Sequence, residues 1–194
     1  MALCAVLLVA VSERDRIGPR VKEAIPKNRL LRMTVFPFFS GAASGITWTL
    51  SMSFLMILTS FLLNARLWHG KSFINSLNML GFFLYVYCYT LSGMLIRKHA
   101  LSRWMKAKDT WAVALALFAA GHFIPLIIFG FFTGAGFVAT DQVLYGNAFD
   151  LLKNNDSKHF VFMGIWAFVL TIMNAGWFIR QIRDFKPPET AAKS

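Results

Sequence analysis

The chain has 194 residues, 57% of them hydrophobic and only 15% charged, with 20 Phe and 6 Trp. A soluble domain carries about 25% charged residues and fewer apolar ones, so burial of one water-shed core is not what organises this sequence. The net charge of +11 does not point to nucleic acid, because the basic residues sit in clusters that abut apolar runs of membrane-spanning length; the bilayer accounts for them more simply.

The first element is the apolar run 2–11, "ALCAVLLVAV". Ten residues reach only about 15 Å as helix, half of what a ~30 Å hydrocarbon core requires. No Lys or Arg precedes the run and a basic segment follows it, the reverse of a signal peptide. It reads either as an interfacial stub or, preferentially, as the inner half of a partial span whose first half lies upstream. Cys4 in this run and Cys88 further on have no metal or disulfide spacing.

The basic segment 12–35 carries Arg14, Arg16, Arg20, Lys22, Lys27, Arg29 and Arg32. Gly18–Pro19 is a helix-start signal and Pro26 a stop. Between them Val21, Ala24 and Ile25 share one face, with Ile17 just before. This predicts a short amphipathic helix on the membrane surface. Its basic residues (Arg16, Arg20, Lys22, Lys27, Arg29 and Arg32) are candidates for contact with a partner protein or with anionic lipid.

Four runs are long enough to span: about 36–63, 76–96, 111–133 and 160–179. They predict an all-α, polytopic membrane helical bundle, a single transmembrane domain over 1–186 followed by a disordered tail at 187–194. The first run, at about 28 residues or ~42 Å, is too long for an upright span; either it tilts or the piece around Pro37 separates from it. Basic residues alternate from one connection to the next. Segments 12–35, 97–110 and the stretch from Arg180 onward hold 16 of the 20 Lys and Arg. The positive-inside rule therefore puts those three segments, and the C-terminus, in the cytoplasm.

Several polar residues recur inside the spans. Ser40, Ser44, Thr47 and Ser51 form a stripe on the first, with a GxxxG at Gly41 and Gly45. Asn78, Gly81, Tyr85, Tyr89 and Ser92 form one on the second; Gly164, Ala167, Thr171 and Asn174 form one on the fourth. Such faces should look inward, for close packing or for a polar pathway. His122 is the one ionisable residue deep in a full span, with Pro125 following it. Candidate inward-facing polar residues are thus Ser44, Thr47, Ser51, Asn78, Tyr85, Tyr89, His122 and Asn174. The outer connection offers a short helix capped by Thr140 or Asp141, with Leu144, Ala148, Leu151 and Leu152 on one face.

Some chemistries have no support in the sequence. No Asp or Glu lies within any span, so a carboxylate relay is not indicated. A single intramembrane His cannot supply two haem ligands, and no Walker-type GxxxxGK[ST] is present. No cofactor, metal site or catalytic residue is expected, and the chain reads as a non-enzyme.

The stretch "SERDRIGPRVKEAIPKNRLLRMTVFPFFSGAASGITW", through "SERDRIGPRV", "IPKNRLLR" and "SGAASG", resembles loop-plus-span segments in permease subunits of bacterial export-type ABC transporters. It covers about 40 of the 194 residues. The resemblance implies a transmembrane subunit in the bacterial inner membrane, working as a dimer with cytoplasmic ATPase subunits that the basic loop would touch. Such permeases have six spans, so it also implies that one helix and a half lie upstream. The other readings are a membrane anchor or assembly subunit without transport activity and, least favoured, an intramembrane enzyme using His122.

Overall fold

A computed structural model describes residues 2–13, 17–67, 71–133, 148 and 157–188. Among them there are helices and turns and no strand. The described residues include the α-helices α1 (Ala2–Ala10), α2 (Pro19–Glu23), α3 (Arg29–Val35), α4 (Ala42–Leu67), α5 (Lys71–His99), α6 (Thr110–Thr133) and α7 (Ser157–Asp184). Four are long and apolar enough to cross a membrane: within Ala42–Ser60, Leu80–His99, Ala107–Ile128 and Lys158–Asp184.

α5 is the central helix. Buried residues make up 72% of its apolar window, against 6% for that of α6 and 17% for that of α7. In a bilayer the outward faces of α6 and α7 need no protein cover, so exposed Ile124, Ile127, Phe168 and Ile172 are at home against lipid.

The run 2–11 is an integral part of this packing. Leu7 and Val11 are fully buried and join one core cluster with Ile46 of α4 and Tyr85, Val86 and Leu91 of α5. One side of the run, Leu7, Ala10 and Val11, is seated among α4, α5 and α6, while Val6 and Val9 are exposed.

The first run breaks near Pro37. Phe36–Phe38 is a separate 3-10 turn around Pro37, and α4 begins at Ala42. The expected span 36–63 is thus shifted to a helix that starts six residues later and runs on to Leu67. The GxxxG also divides. Gly41 lies outside the helix with φ of +136°, a conformation open mainly to glycine. Gly45 sits inside the helix, where an added Cβ would collide with the Ala10 Cβ. One glycine turns the chain; the other lets α1 approach α4. Gly93 does the same for α5 and α6, its Cα facing the Ala114 backbone so closely that a Cβ would lie 3.1 Å from the Ala114 nitrogen.

The turn after α1 ties two further helices together. The Glu13 carboxylate accepts from the Gly41 N–H at the start of α4, where a negative charge also favours the helix dipole. Ser12 Oγ accepts from the Trp111 N–H, at 3.3 Å, in the first turn of α6. Both are orphan donors of helix N-termini, satisfied here by residues distant in sequence.

These contacts gather the basic segments at one end of the bundle. Residues 12–13 meet the starts of α4 and α6, while Lys98 at the end of α5 lies over the Trp177 ring late in α7. Beyond α7, Phe185 is buried against Phe36, with ring centroids 5.1 Å apart at 77°, and against Phe39. Ile25 from the end of the α2 turn joins this second cluster. α2 starts as expected, with Gly18 before it and Pro19 in its first turn, but it ends at Glu23, so Ala24 and Ile25 lie beyond the helix. Ile25 packs on protein, whereas Ala24 is exposed.

Of the expected outer helix only Ala148 is among the described residues, and it is buried in the main cluster. Thr140, Asp141, Leu144, Leu151 and Leu152 lie outside them. So does the tail from residue 189 onward; Pro187 and Pro188 come after α7 without regular structure.

Candidate functional site

α5 contributes three tyrosines in two turns because "LYVYCYT" alternates aromatic and small residues, and a helix distributes them round its whole surface. Tyr85 and Tyr89, four apart, lie on one face, with ring centroids 6.5 Å apart and planes at 21°. The Tyr85 hydroxyl is 2.6 Å from Nδ1 of His159, the third residue of α7. Both side chains are wholly shielded, at 0% exposure. A buried phenol and imidazole in an apolar setting each need a partner, and here each supplies one to the other; a single proton lies between them.

Tyr89 lies at a three-helix junction. Trp166 of α7 meets it edge-on at 5.0 Å and Phe118 of α6 at 5.5 Å. Such edge-to-face pairs add about 0.5–1.5 kcal/mol beyond area burial. Tyr87 looks toward another part of α7, its hydroxyl 3.2 Å from Thr171 Oγ1. Thr171 donates its own proton to the Ala167 carbonyl at 2.7 Å, so Tyr87 is the donor in this pair. Cys88 is buried between them against the Met163 carbonyl.

Farther toward the basic end, Asn174 of α7 is 5% exposed. Its Nδ2 donates to the Leu170 carbonyl at 2.9 Å, while Oδ1 has no hydrogen-bond partner among the described residues. One turn on, Trp177 carries Lys98 Nζ 3.7 Å from its ring centroid. The arrangement is a polar and aromatic seam along α5 and α7: Tyr85–His159 near one end, Tyr89–Trp166 and Tyr87–Thr171 in the middle, Asn174 and Lys98–Trp177 near the other.

The expected stripes fare unequally. Tyr85, Tyr89 and Asn174 are buried in the seam. Ser44 is buried too, but its hydroxyl donates to Gly41 O at 2.9 Å, within the first turn of α4. Thr47 is half-buried and Ser51 is exposed; both bond carbonyls of their own helix, Ala43 and Thr47. The face α4 turns to the bundle is a different one: Ala42, Ile46, Thr49 and Ser53, with Gly45 beside them. Ser51 is therefore corrected to an outward position. On α7 the small-residue stripe is likewise displaced, since Gly164 and Thr171 are exposed, and the buried line is His159, Met163, Leu170 and Asn174. Asn78 belongs to α5, but its side chain is outside the described set.

His122 lies on the half-exposed part of α6, its ring edge-on to Phe123 at 4.9 Å. The fully buried histidine is His159, which sequence reasoning places in the outer connection. The signal is present in the spacing: His159, Met163, Trp166, Leu170, Asn174 and Trp177 recur at helical intervals, and an apolar run counted from Phe160 begins one residue too late to include the first.

Among the basic candidates, Arg20, Lys22, Lys27 and Arg29 are exposed and Arg32 is half-buried; Arg16 lies outside the described residues. No group of three His, Cys, Asp or Glu side chains positioned for a metal occurs among the described residues.

The helices and the seam together define a multi-pass α-helical membrane protein. No protein-family model, no curated protein and no solved structure matches the chain.

Proposed function

We propose that this protein is a transmembrane subunit of a transport permease in the bacterial inner membrane, with its basic end in the cytoplasm and ATP hydrolysis supplied by a separate subunit. The observation that carries the reading is the Tyr85–His159 pair, wholly buried at 2.6 Å within a bundle whose other helices face lipid. A protein that only anchors a partner needs packing, and apolar side chains supply it. Ionisable and polar groups inside a membrane are costly and mark pathways or moving parts by default.

Two further features support the reading. The seam joins the pair at one end to Lys98–Trp177 at the other, so a shift of α7 along α5 would be felt at both. The resemblance of 12–48 to export permeases implies a separate ATPase subunit at the basic end of the bundle, and no nucleotide-binding signature exists in the chain itself. The permease would act as a dimer. Its own chemistry is positioning and movement, with no catalytic step, metal or cofactor.

The test is capture from native membranes. The tagged full chain, solubilised in mild detergent, should bring with it a P-loop ATPase subunit and vanadate-sensitive ATP hydrolysis. Recovery of the chain with no ATPase, under conditions that preserve its own fold, would move the assignment to an anchor or assembly subunit.

A further inference from the structure

Helix α3 has no counterpart among the elements expected from the sequence, and its surroundings assign it a partner. Asn28 caps it, its side chain accepting from Leu30 N at 2.9 Å. The next turn buries Phe36 in the aromatic cluster with Phe178 and Phe185, which pins one side of α3 to the protein. At about 100° per residue, Met33, Leu30 and Leu31 fall on one continuous arc, with Leu30 and Leu31 turned about 120° and about 140° away from Phe36. Leu30 is 76% exposed, and Leu31 and Met33 are more than half exposed. Phe38, just beyond, is 71% exposed. Arg29 borders the arc and Lys27 immediately precedes it, both exposed, with exposed Arg20 and Lys22 on α2 nearby in sequence.

We propose that this arc is an anionic-lipid-binding surface: the apolar side chains of α3 enter the bilayer interface and the cations of 20–29 hold negatively charged lipid headgroups around it. Three observations favour lipid over a protein partner. The arc ends nine residues before the first spanning helix begins at Ala42, which keeps it close along the chain to the end of that span. It precedes in the chain a spanning helix, α4, whose apolar residues Leu50, Phe54 and Leu55 are also exposed. Its border is basic: between 17 and 35 the one acidic residue is Glu23. Apolar side chains flanked by Lys and Arg are the composition of interfacial helices. The inference does not depend on the transport reading.

The test places a bimane label at Leu31→Cys in the full-length protein. The unsubstituted protein, with native Cys4 and Cys88, gives the labelling background, and Ser102→Cys, an exposed position at the same end, is the reference. The proteins are reconstituted in nanodiscs of mixed phosphatidylcholine and phosphatidylglycerol, with brominated acyl chains carried by one lipid or the other at equal content. The expected result is strong quenching by bromine and weak quenching by aqueous iodide at Leu31, the opposite of Ser102. Quenching should be several-fold stronger when phosphatidylglycerol carries the bromine, and the combined K22Q, K27Q and R29Q variant should remove that difference while keeping its elution volume in size exclusion. Three results would overturn the proposal: iodide quenching at Leu31 equal to that at Ser102, equal quenching by the two brominated lipids, or shielding from iodide that persists in delipidated detergent solution, which would mean that protein covers the arc.

Discussion

Removing the Tyr85 hydroxyl takes from His159 a 2.6 Å partner in a fully buried setting, while Tyr87→Phe removes a donor from a threonine whose own proton stays bonded to the Ala167 carbonyl. The two substitutions delete the same atom from neighbouring tyrosines and should differ. Tyr85→Phe is expected to lower stability by about 1–3 kcal/mol, and Tyr87→Phe by about 1 kcal/mol or less, read as the thermal midpoint of the purified protein in one detergent. If Tyr85 and His159 act as a unit, Tyr85→Phe with His159→Leu costs less than the sum of the singles. His122 belongs to a different class: half-exposed and edge-on to Phe123, it lies on α6 rather than in the α5–α7 seam, and His122→Ala is expected to leave both ATPase capture and stability close to those of the parent. Which of these residues matter is only half legible in the sequence. Large aromatic side chains such as Tyr85 and Tyr89 are buried in the seam, because they bury most area and no lipid contact substitutes for their hydroxyl partners. Serine and threonine differ. Ser51 and Thr47 return their protons to carbonyls of their own helix, so a hydroxyl in a membrane helix carries little information about which way it faces.

At the scale of elements, α1 tells how a half-length apolar run is used. Its seating rests on the approach of Ala10 to Gly45. Gly45→Ala should therefore destabilise by about 1–3 kcal/mol, the usual range for overpacking, and Ala10→Gly in the same chain should recover most of it. Failure of that rescue would place α1 elsewhere. The turn after α1 is a capping device: Glu13→Gln keeps an acceptor for Gly41 N but loses the charge at the start of α4, and Glu13→Ala loses both. A graded loss is expected, about 0.5 kcal/mol and then about 1–2 kcal/mol, measured by the same melting assay with added salt to screen the charge component. Local signals find α2, because Gly18–Pro19 and Pro26 are punctuation that works whatever the tertiary context. α3 is hidden: its apolar residues face outward, its inward anchor is Phe36 just beyond its end, and pattern reading gives weight to an apolar face only where the segment is expected to pack. The Glu13–Gly41 and Ser12–Trp111 caps join residues 28 and 99 positions apart, which no local reading reaches.

For the whole molecule, two independent lines converge on one arrangement. Counting Lys and Arg by connection puts 16 of 20 in three alternate segments, and the packing of Ser12, Glu13, Lys98, Trp111, Trp177 and Phe185 draws those same segments to one end of the bundle. The first is a statement about insertion into a charged membrane and the second about side-chain contacts; neither uses the other. The permease reading depends on the sidedness of that end, since an ATPase subunit can reach it only from the cytoplasm. The direct test is accessibility of single cysteines, Ser102→Cys between α5 and α6 and Lys186→Cys after α7, to a membrane-impermeant maleimide in intact cells and in inverted vesicles. The account requires both to react in inverted vesicles and neither in intact cells; reaction of either position in intact cells would contradict it.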